Sequence, residues 1–397
     1  MIVNNLYHLT YCTNIHPGDD WRQTFESLEQ YVLEVKSKVS PSAPFGIGLR
    51  LSNKASEELG QGDNLMDFKA WLVENQLYVF TMNGFPYGNF HKEPVKDMVH
   101  APDWTTDERV QYTQRLFDQL ALLVPEGLSG GISTSPISYR HWHANTTETE
   151  EVLKKGAANL AKIVAHLHQI ERDTGRYLHL DIEPEPDGLL ENSDEVVHFF
   201  EKYLLPIAKE SMKAGEAVVE NLVHRHINVC YDICHFSLAY EEPEVSFRKF
   251  GNAGIQVGKI QVSSALKIIF NEADSEQIWE ALALFNEPTY LHQVTEKNGD
   301  TVRTYGDLPL VLKDKKDFSE LRAHFHVPIF LERFEKLFAT QDQIIKVVKY
   351  LKSHKVSEHL EIETYTWDVL PAALKTNLSD SIVREMDWFK NTLLAYR

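Results

Sequence analysis

Four late segments of the chain are apolar or alternating and then stop on a side chain that can hold a cation or move a proton. Segment 177–183 stops on Glu183, 228–232 on Asp232, 259–261 on Gln261 and 360–363 on Glu363. Successive side chains of a strand point to opposite faces, so Glu183 lies opposite Leu178, Leu180 and Ile182, and Glu363 opposite Leu360 and Ile362. The greasy face must meet covering helices, which turns both carboxylates inward. Three inward carboxylates at one mouth repel and resist ionisation unless a cation neutralises them, because an unpaired buried charge is very costly. A divalent metal is the simplest resolution. His235 follows Asp232 by three residues and can reach the metal or something bound to it.

Further groups could join this site. His324 and His326 alternate on an extended segment, so one of the two is expected to face a given pocket, and His326 is preferred. Segment 83–91, Asn-Gly-Phe-Pro-Tyr-Gly-Asn-Phe-His, offers rings for the face of a sugar and Asn83 and His91 for its hydroxyls. Arg140 follows another strand and could hold a phosphate or carboxylate, although a solvated loop is the simpler reading. Gly46-Ile-Gly48 lacks the third glycine and the strand-turn-helix setting of a dinucleotide fingerprint. Cys12, Cys230 and Cys234 have no persuasive partners for nucleophilic catalysis and read as small buried residues.

Eight short runs bounded by turn residues can position these groups: 6–12, 45–51, 77–82, 128–133, 177–183, 227–232, 259–264 and 360–366. Amphipathic stretches lie between them at 20–38, 106–123, 147–174, 193–213 and 341–353. Thr106 or Asp107 should cap the second stretch and Ser193 should open the fourth. The alternation predicts an α/β fold, a single (β/α)8 TIM barrel over 1–397 with catalytic side chains at the C-terminal strand ends. About 100 residues separate the last two runs, far more than one crossover needs. An Asn298-Gly299 turn between alternating segments predicts a β-hairpin insertion there, at about 286–330, covering the C-terminal mouth.

The chain is 397 residues with a formal charge of −18, which disfavours nucleic acid and anionic membranes as partners. Its three cysteines and the absence of a long apolar run predict a cytoplasmic protein with no membrane insertion.

Glu183 at the fifth strand, Asp232-Ile-Cys-His235 at the sixth and Glu363 at the eighth resemble the xylose-isomerase-like superfamily of barrels, which includes sugar isomerases, ketose 3-epimerases and endonuclease-IV-type phosphodiesterases. The resemblance implies that Glu183, Asp232 and Glu363 bind a metal, that His235 touches substrate or a second metal, and that Glu183 and Glu363 are a proton-transfer pair. Where those epimerases carry a metal-binding His on the seventh strand, this chain has Gln261, whose oxygen suits a hard cation such as Mn or Mg better than Zn. Segments 8–18, 81–91, 132–136 and 324–330 together are similar to the EboE metabolite-traffic family, a branch of that superfamily.

Three functions follow as expectations. The first is a metal-dependent isomerase or epimerase of a sugar, cyclitol or related hydroxylated metabolite, with Glu183 and Glu363 moving protons on opposite faces of the substrate. The second is a metal-dependent phosphoester hydrolase of a small metabolite, which would hold two or three metals. The third is a non-catalytic metabolite carrier.

Overall fold

Eight parallel strands form the barrel: β1 (Tyr7–Tyr11), β2 (Phe45–Arg50), β3 (Leu77–Asn83), β4 (Gly130–Thr134), β5 (Leu178–Ile182), β6 (Ile227–Asp232), β7 (Val257–Val262) and β8 (His359–Ile362). The computed structural model describes residues 1–88, 96–367, 370–375 and 377–396. Each strand from β2 to β8 pairs in parallel with the next, and β8 pairs with β1. Between β1 and β2 the ring is drawn together by a single parallel bridge, Cys12 to Gly48, and by the Thr10 hydroxyl donating to the Gly46 carbonyl at 2.7 Å. All eight expected strands are present, with ends shifted by at most a few residues.

The barrel interior is polar, which departs from the branched aliphatic layers usual inside such barrels. On β5 the alternation buries Leu178, Leu180 and Ile182 in the apolar core, while His179 and Asp181 bond to each other at 2.6 Å. Room for these inward groups comes from glycine. A Cβ on Gly131 or Gly258 would collide with His179 and Asp181, and one on Gly48 would collide with the Glu361 carboxylate. The Gly46-Ile-Gly48 pair thus serves close packing inside the barrel.

Helix Asp107–Leu123 is capped by the Thr106 hydroxyl, which accepts from the Arg109 N–H. Helix Thr146–Thr174 stops at Gly175, whose φ of 71° supplies the left-handed residue that ends many helices. Two expected helices are less regular than their periodicity suggests. Stretches 20–38 and 193–213 are each interrupted by a π-turn, Leu28–Val32 and Phe200–Leu204. Asn192, one residue before Ser193, is the side chain that caps the latter. Among the described residues, no helix is long and apolar enough to cross a membrane.

Between β7 and β8 the chain builds a six-stranded antiparallel sheet in the order Thr301–Tyr305, Val294–Asn298, Glu320–Ala323, Leu266–Ile269, Leu337–Ala339, Arg333–Phe334. The expected hairpin is real, but its loop is Gly299-Asp300, with Asn298 paired to Thr301 and Gly299 taking the positive φ of 61°. It is also only part of the insertion, whose strands run from Leu266 to Ala339 rather than over 286–330. A lone two-stranded hairpin is marginal in water, and here it gains four further strands. One apolar cluster takes in residues of both sheets. From the inserted sheet, residues 324–327 return to the barrel mouth, where the Val327 N–H donates to the Ser264 carbonyl just past β7.

Candidate metal centre and substrate cavity

Glu183, Asp232 and Glu363, from the C-terminal ends of β5, β6 and β8, place one carboxylate oxygen each within 4.8 Å of the others, and all three are buried. Asp232 also has a local duty. Its Oδ1 accepts from the His235 N–H at 2.9 Å, capping helix Ile233–Leu238, and from the Ser263 hydroxyl at 2.7 Å. Its Oδ2 has no hydrogen-bond partner. Glu363 Oε1 accepts from Asn14 Nδ2 at 2.6 Å. Loss of water, reinforced by Asp232 and Glu361, pushes the Glu363 carboxyl up to about 8. Burial and the charges of Glu363 and Asp232 push Glu183 well above the usual carboxylate range. Carboxylates held this way favour a proton or a cation, and their oxygens suit a hard divalent ion.

Three histidines adjoin the trio. His235 Nδ1 is 3.0 Å from the Pro184 carbonyl, His326 Nδ1 is 2.8 Å from the Glu363 carbonyl and His324 Nδ1 is 2.9 Å from Gln293 Oε1. With those oxygens as acceptors, each ring donates from Nδ1 and offers Nε2 as a lone pair, the arrangement usual for metal-ligating imidazoles. His235 Nε2 and His324 Nε2 lie 3.1 Å apart, and His326 Nε2 has no partner. Two facing lone pairs need a proton or a cation between them. Burial lowers all three imidazoles, His326 to about 4, so they are neutral and ready to ligate near pH 7. Asp232, His235 and His326 form a second group of possible metal ligands, and Cys234, His324 and His326 a third.

Of the two, His324 rather than the preferred His326 lines the cavity, although both belong to the candidate ligand groups. His324 lies past the end of strand Glu320–Ala323, in a bend where the Phe325 N–H donates to the Ala323 carbonyl, so strict alternation is lost and both rings turn inward. His324 lines the cavity beside His235, while His326 is fully buried and absent from its wall.

Gln261 pairs in register with Asp232 and Glu361. Its Nε2 donates to Asn83 Oδ1 at 3.2 Å, and its Oε1 is buried without a partner. The Asn83 amide is already engaged. Its Nδ2 donates to Cys12 Sγ and Glu361, and its Oδ1 accepts from Ser133 and Gln261 with Lys259 Nζ at 3.4 Å. His91 lies outside the described residues. His16, following β1, is stacked on Tyr31 and bonded to the Tyr11 hydroxyl. Arg140 ion-pairs with Glu191 and Glu195 and does not line the cavity.

The cavity over Glu183 and Glu363 has about 660 Å³ of atom-free space, part of it open to solvent. Phe85, Pro86, Val99 and Leu291 supply apolar wall, and Glu183, Glu363, His235 and His324 supply polar groups. Sequence reasoning missed Asn14, His100, Glu185 and Gln293 on this wall, and also the Lys259–Glu361 ion pair beneath it, fully buried at 2.7 Å. The last two were within reach. Lys259 and Glu361 each stand two residues before a singled-out residue, so period two turns them inward as well.

No known protein family and no curated protein matches this sequence. Solved structures do match it in shape. A D-tagatose 3-epimerase-like protein aligns over 98% of this chain and 98% of its own, with 11% identity and a TM-score of 0.51. A xylose isomerase-like TIM barrel protein from Mycobacterium smegmatis, in complex with magnesium, aligns over 100% and 99%, with 8% identity and a TM-score of 0.52. The fold is that of the xylose-isomerase-like TIM barrels.

Proposed function

We propose that the protein is a metal-dependent isomerase or epimerase of a sugar, cyclitol or related polyhydroxylated metabolite. The observation that carries this is the pair of buried glutamates, Glu183 and Glu363, each with an oxygen within 4.8 Å of the other's and of Asp232's, lining the same cavity. A bound Mn, Mg or Zn ion would be held by Glu183, Asp232, Glu363 and the free Gln261 oxygen, and would polarise a carbonyl and its neighbouring hydroxyl. Glu183 and Glu363 serve as the proton-transfer pair. One takes the proton from the carbon beside the carbonyl and the other returns one from the opposite face. Carboxyls shifted toward neutrality by burial are suited to both halves of that exchange. His235, His324 and the cavity wall orient the substrate, with Asn83 and His91 as further candidates. The sequence matches no known family, so the expected likeness to the EboE family is not confirmed and adds no support.

A second reading, metal-dependent hydrolysis of a small phosphoester, is favoured by one observation: the convergence of His235, His324 and His326 beside Asp232 could complete a second metal position. The two differ in an experiment. The purified protein, its metal content measured, is incubated in heavy water with a panel of ketoses and with phosphate esters. The isomerase reading predicts one metal per chain and deuterium entering at the carbon beside the carbonyl, lost in Glu183→Gln and Glu363→Gln. Phosphate release with two or three metals per chain would establish the hydrolase instead.

A further inference from the structure

Two side chains on the cavity wall have no part in the proton-transfer scheme. Glu185 follows Glu183 by two residues, and its carboxyl is buried with Oε1 lacking any hydrogen-bond partner. His100, at the end of the 3-10 turn Lys96–His100, is equally buried, and its Nδ1 also lacks a partner. The two unsatisfied atoms lie 3.5 Å apart, outside hydrogen-bond geometry, and both residues line the cavity that holds Glu183 and Glu363. They come from different loops, after β3 and β5, so chain connectivity does not force them together.

Neither group is loose. The His100 ring is packed among Phe85, Tyr139 and Trp142, with centroids 5.6, 5.1 and 6.3 Å away. The Glu185 N–H donates to the Leu190 carbonyl, and its own carbonyl accepts from the Gly188 N–H. A fixed, desolvated polar atom without a partner loses free energy that only a ligand or water can return. Two of them facing one another in a cavity mark the place where a ligand atom belongs.

We propose that Glu185 and His100 together grip one hydroxyl of an uncharged polyhydroxylated substrate, and so determine which carbon lies over the Glu183 and Glu363 pair. This rests on the isomerase or epimerase reading. An oxygen can sit about 2.8 Å from both atoms at once. A hydroxyl both donates and accepts, which matches a carboxyl oxygen beside an imidazole nitrogen in either protonation state. A phosphate or carboxylate group only accepts, and it would meet the Glu185 oxygen. The one lysine or arginine lining the cavity among the described residues, Lys96, is held by Asp307 at 2.8 Å and the Tyr290 carbonyl at 2.9 Å. Phe85 and Pro86 give the apolar side of a sugar ring a surface to lie against.

The test uses the metal-loaded full chain. The unphosphorylated ketohexoses, their 6-phosphates and 1-amino-1-deoxy-D-fructose are compared by binding and by deuterium exchange. Tighter binding of a neutral ketohexose than of its phosphate or the amino sugar is expected. Glu185→Ala and His100→Phe should each raise KM about tenfold for that sugar without changing metal content, and Glu185→Gln, whose amide still donates and accepts, should recover part of the affinity. One monodeoxy analogue, lacking the gripped hydroxyl, should bind wild type and Glu185→Ala alike. Unchanged KM in Glu185→Ala and His100→Phe with exchange intact would overturn the subsite and leave the isomerase reading standing, as would preference for the phosphate or the amino sugar. Loss of metal in Glu185→Ala would also overturn it. If no neutral ketose binds or exchanges, both fall together.

Discussion

The barrel buries acid in two places, the Lys259–Glu361 floor and the mouth of Glu183, Asp232 and Glu363, and the charge is resolved in opposite ways. In the floor, Glu361 is paired with Lys259 at 2.7 Å, and Asn83, Ser133 and Gln261 extend the network across four strands. Nearer the C-terminal mouth, where Glu363 stands two residues beyond Glu361 at the end of β8, lie Glu183, Asp232 and Glu363. Among the described residues, no lysine or arginine makes an ion pair with any of these three. The floor carries its own counter-ion and is a structural device. On the proposed function, the mouth takes its cation from outside. Burial alone therefore does not distinguish a functional acid from a structural one; the presence of a built-in partner does.

Removing the floor's cation should have the largest effect. Lys259→Met leaves Glu361 buried and unpaired, and should lower stability by about 3–5 kcal/mol in urea unfolding, with much of it recovered in Lys259→Met/Glu361→Leu. A variant as stable as wild type would erase the distinction between floor and mouth. In the mouth the sign should reverse. Glu363→Gln in the metal-free chain should gain about 1 kcal/mol or more at pH 8, because the amide carries no charge to desolvate and can still accept from Asn14. A loss would show that the carboxylate is already neutralised from within.

The pH dependence sharpens the same contrast. The Glu363 carboxyl is raised from 4.5 to about 8 in the folded chain, and Glu183 moves in the same direction. Between those values the folded state keeps a proton that the unfolded chain has lost, so metal-free stability is full below about 4.5 and falls as pH rises toward 8. Below about pH 6.5 the buried imidazoles, lowered from that value, pull the other way. Thermal unfolding in chelator is therefore read from pH 6.5 to 8, where the fall should appear in the wild-type chain, shrink in Glu363→Gln and be removed by added metal. Stability rising with pH from 6.5 to 8 would contradict the shift. The smallest effect concerns the second histidine group. His326→Ala should leave deuterium exchange within about tenfold of wild type if one metal suffices. A collapse of activity together with loss of a second metal would favour hydrolysis.

Much of this was legible in the chain because strand ends carry strong local signals. An apolar alternation stopping on Glu183, Asp232 or Glu363 fixes both the strand and its inward face, and the Asp232 to His235 spacing places the imidazole over the mouth. The inserted sheet was harder. Its strands Leu266–Ile269 and Leu337–Ala339 are three or four residues long and pair across about 70 residues, so no local pattern announces them. His100 and Glu185 were missed for a related reason. They lie in irregular loops, and only the assembled barrel brings them 3.5 Å apart. His324 was undervalued because its alternation with His326 assumed a straight strand, where the backbone bends.

The central claim, that the mouth is built for an external cation, is tested most directly by titrating the chelator-treated chain with MnCl2 near pH 7 in buffers of different ionisation enthalpy. The account predicts a tight site at Glu183, Asp232 and Glu363, release of about one proton or more on binding, and affinity that rises with pH. Glu183→Gln/Asp232→Asn/Glu363→Gln should lose that site while remaining folded. Failure of the wild-type chain to bind, binding without proton release, or equal binding by the triple variant would contradict it.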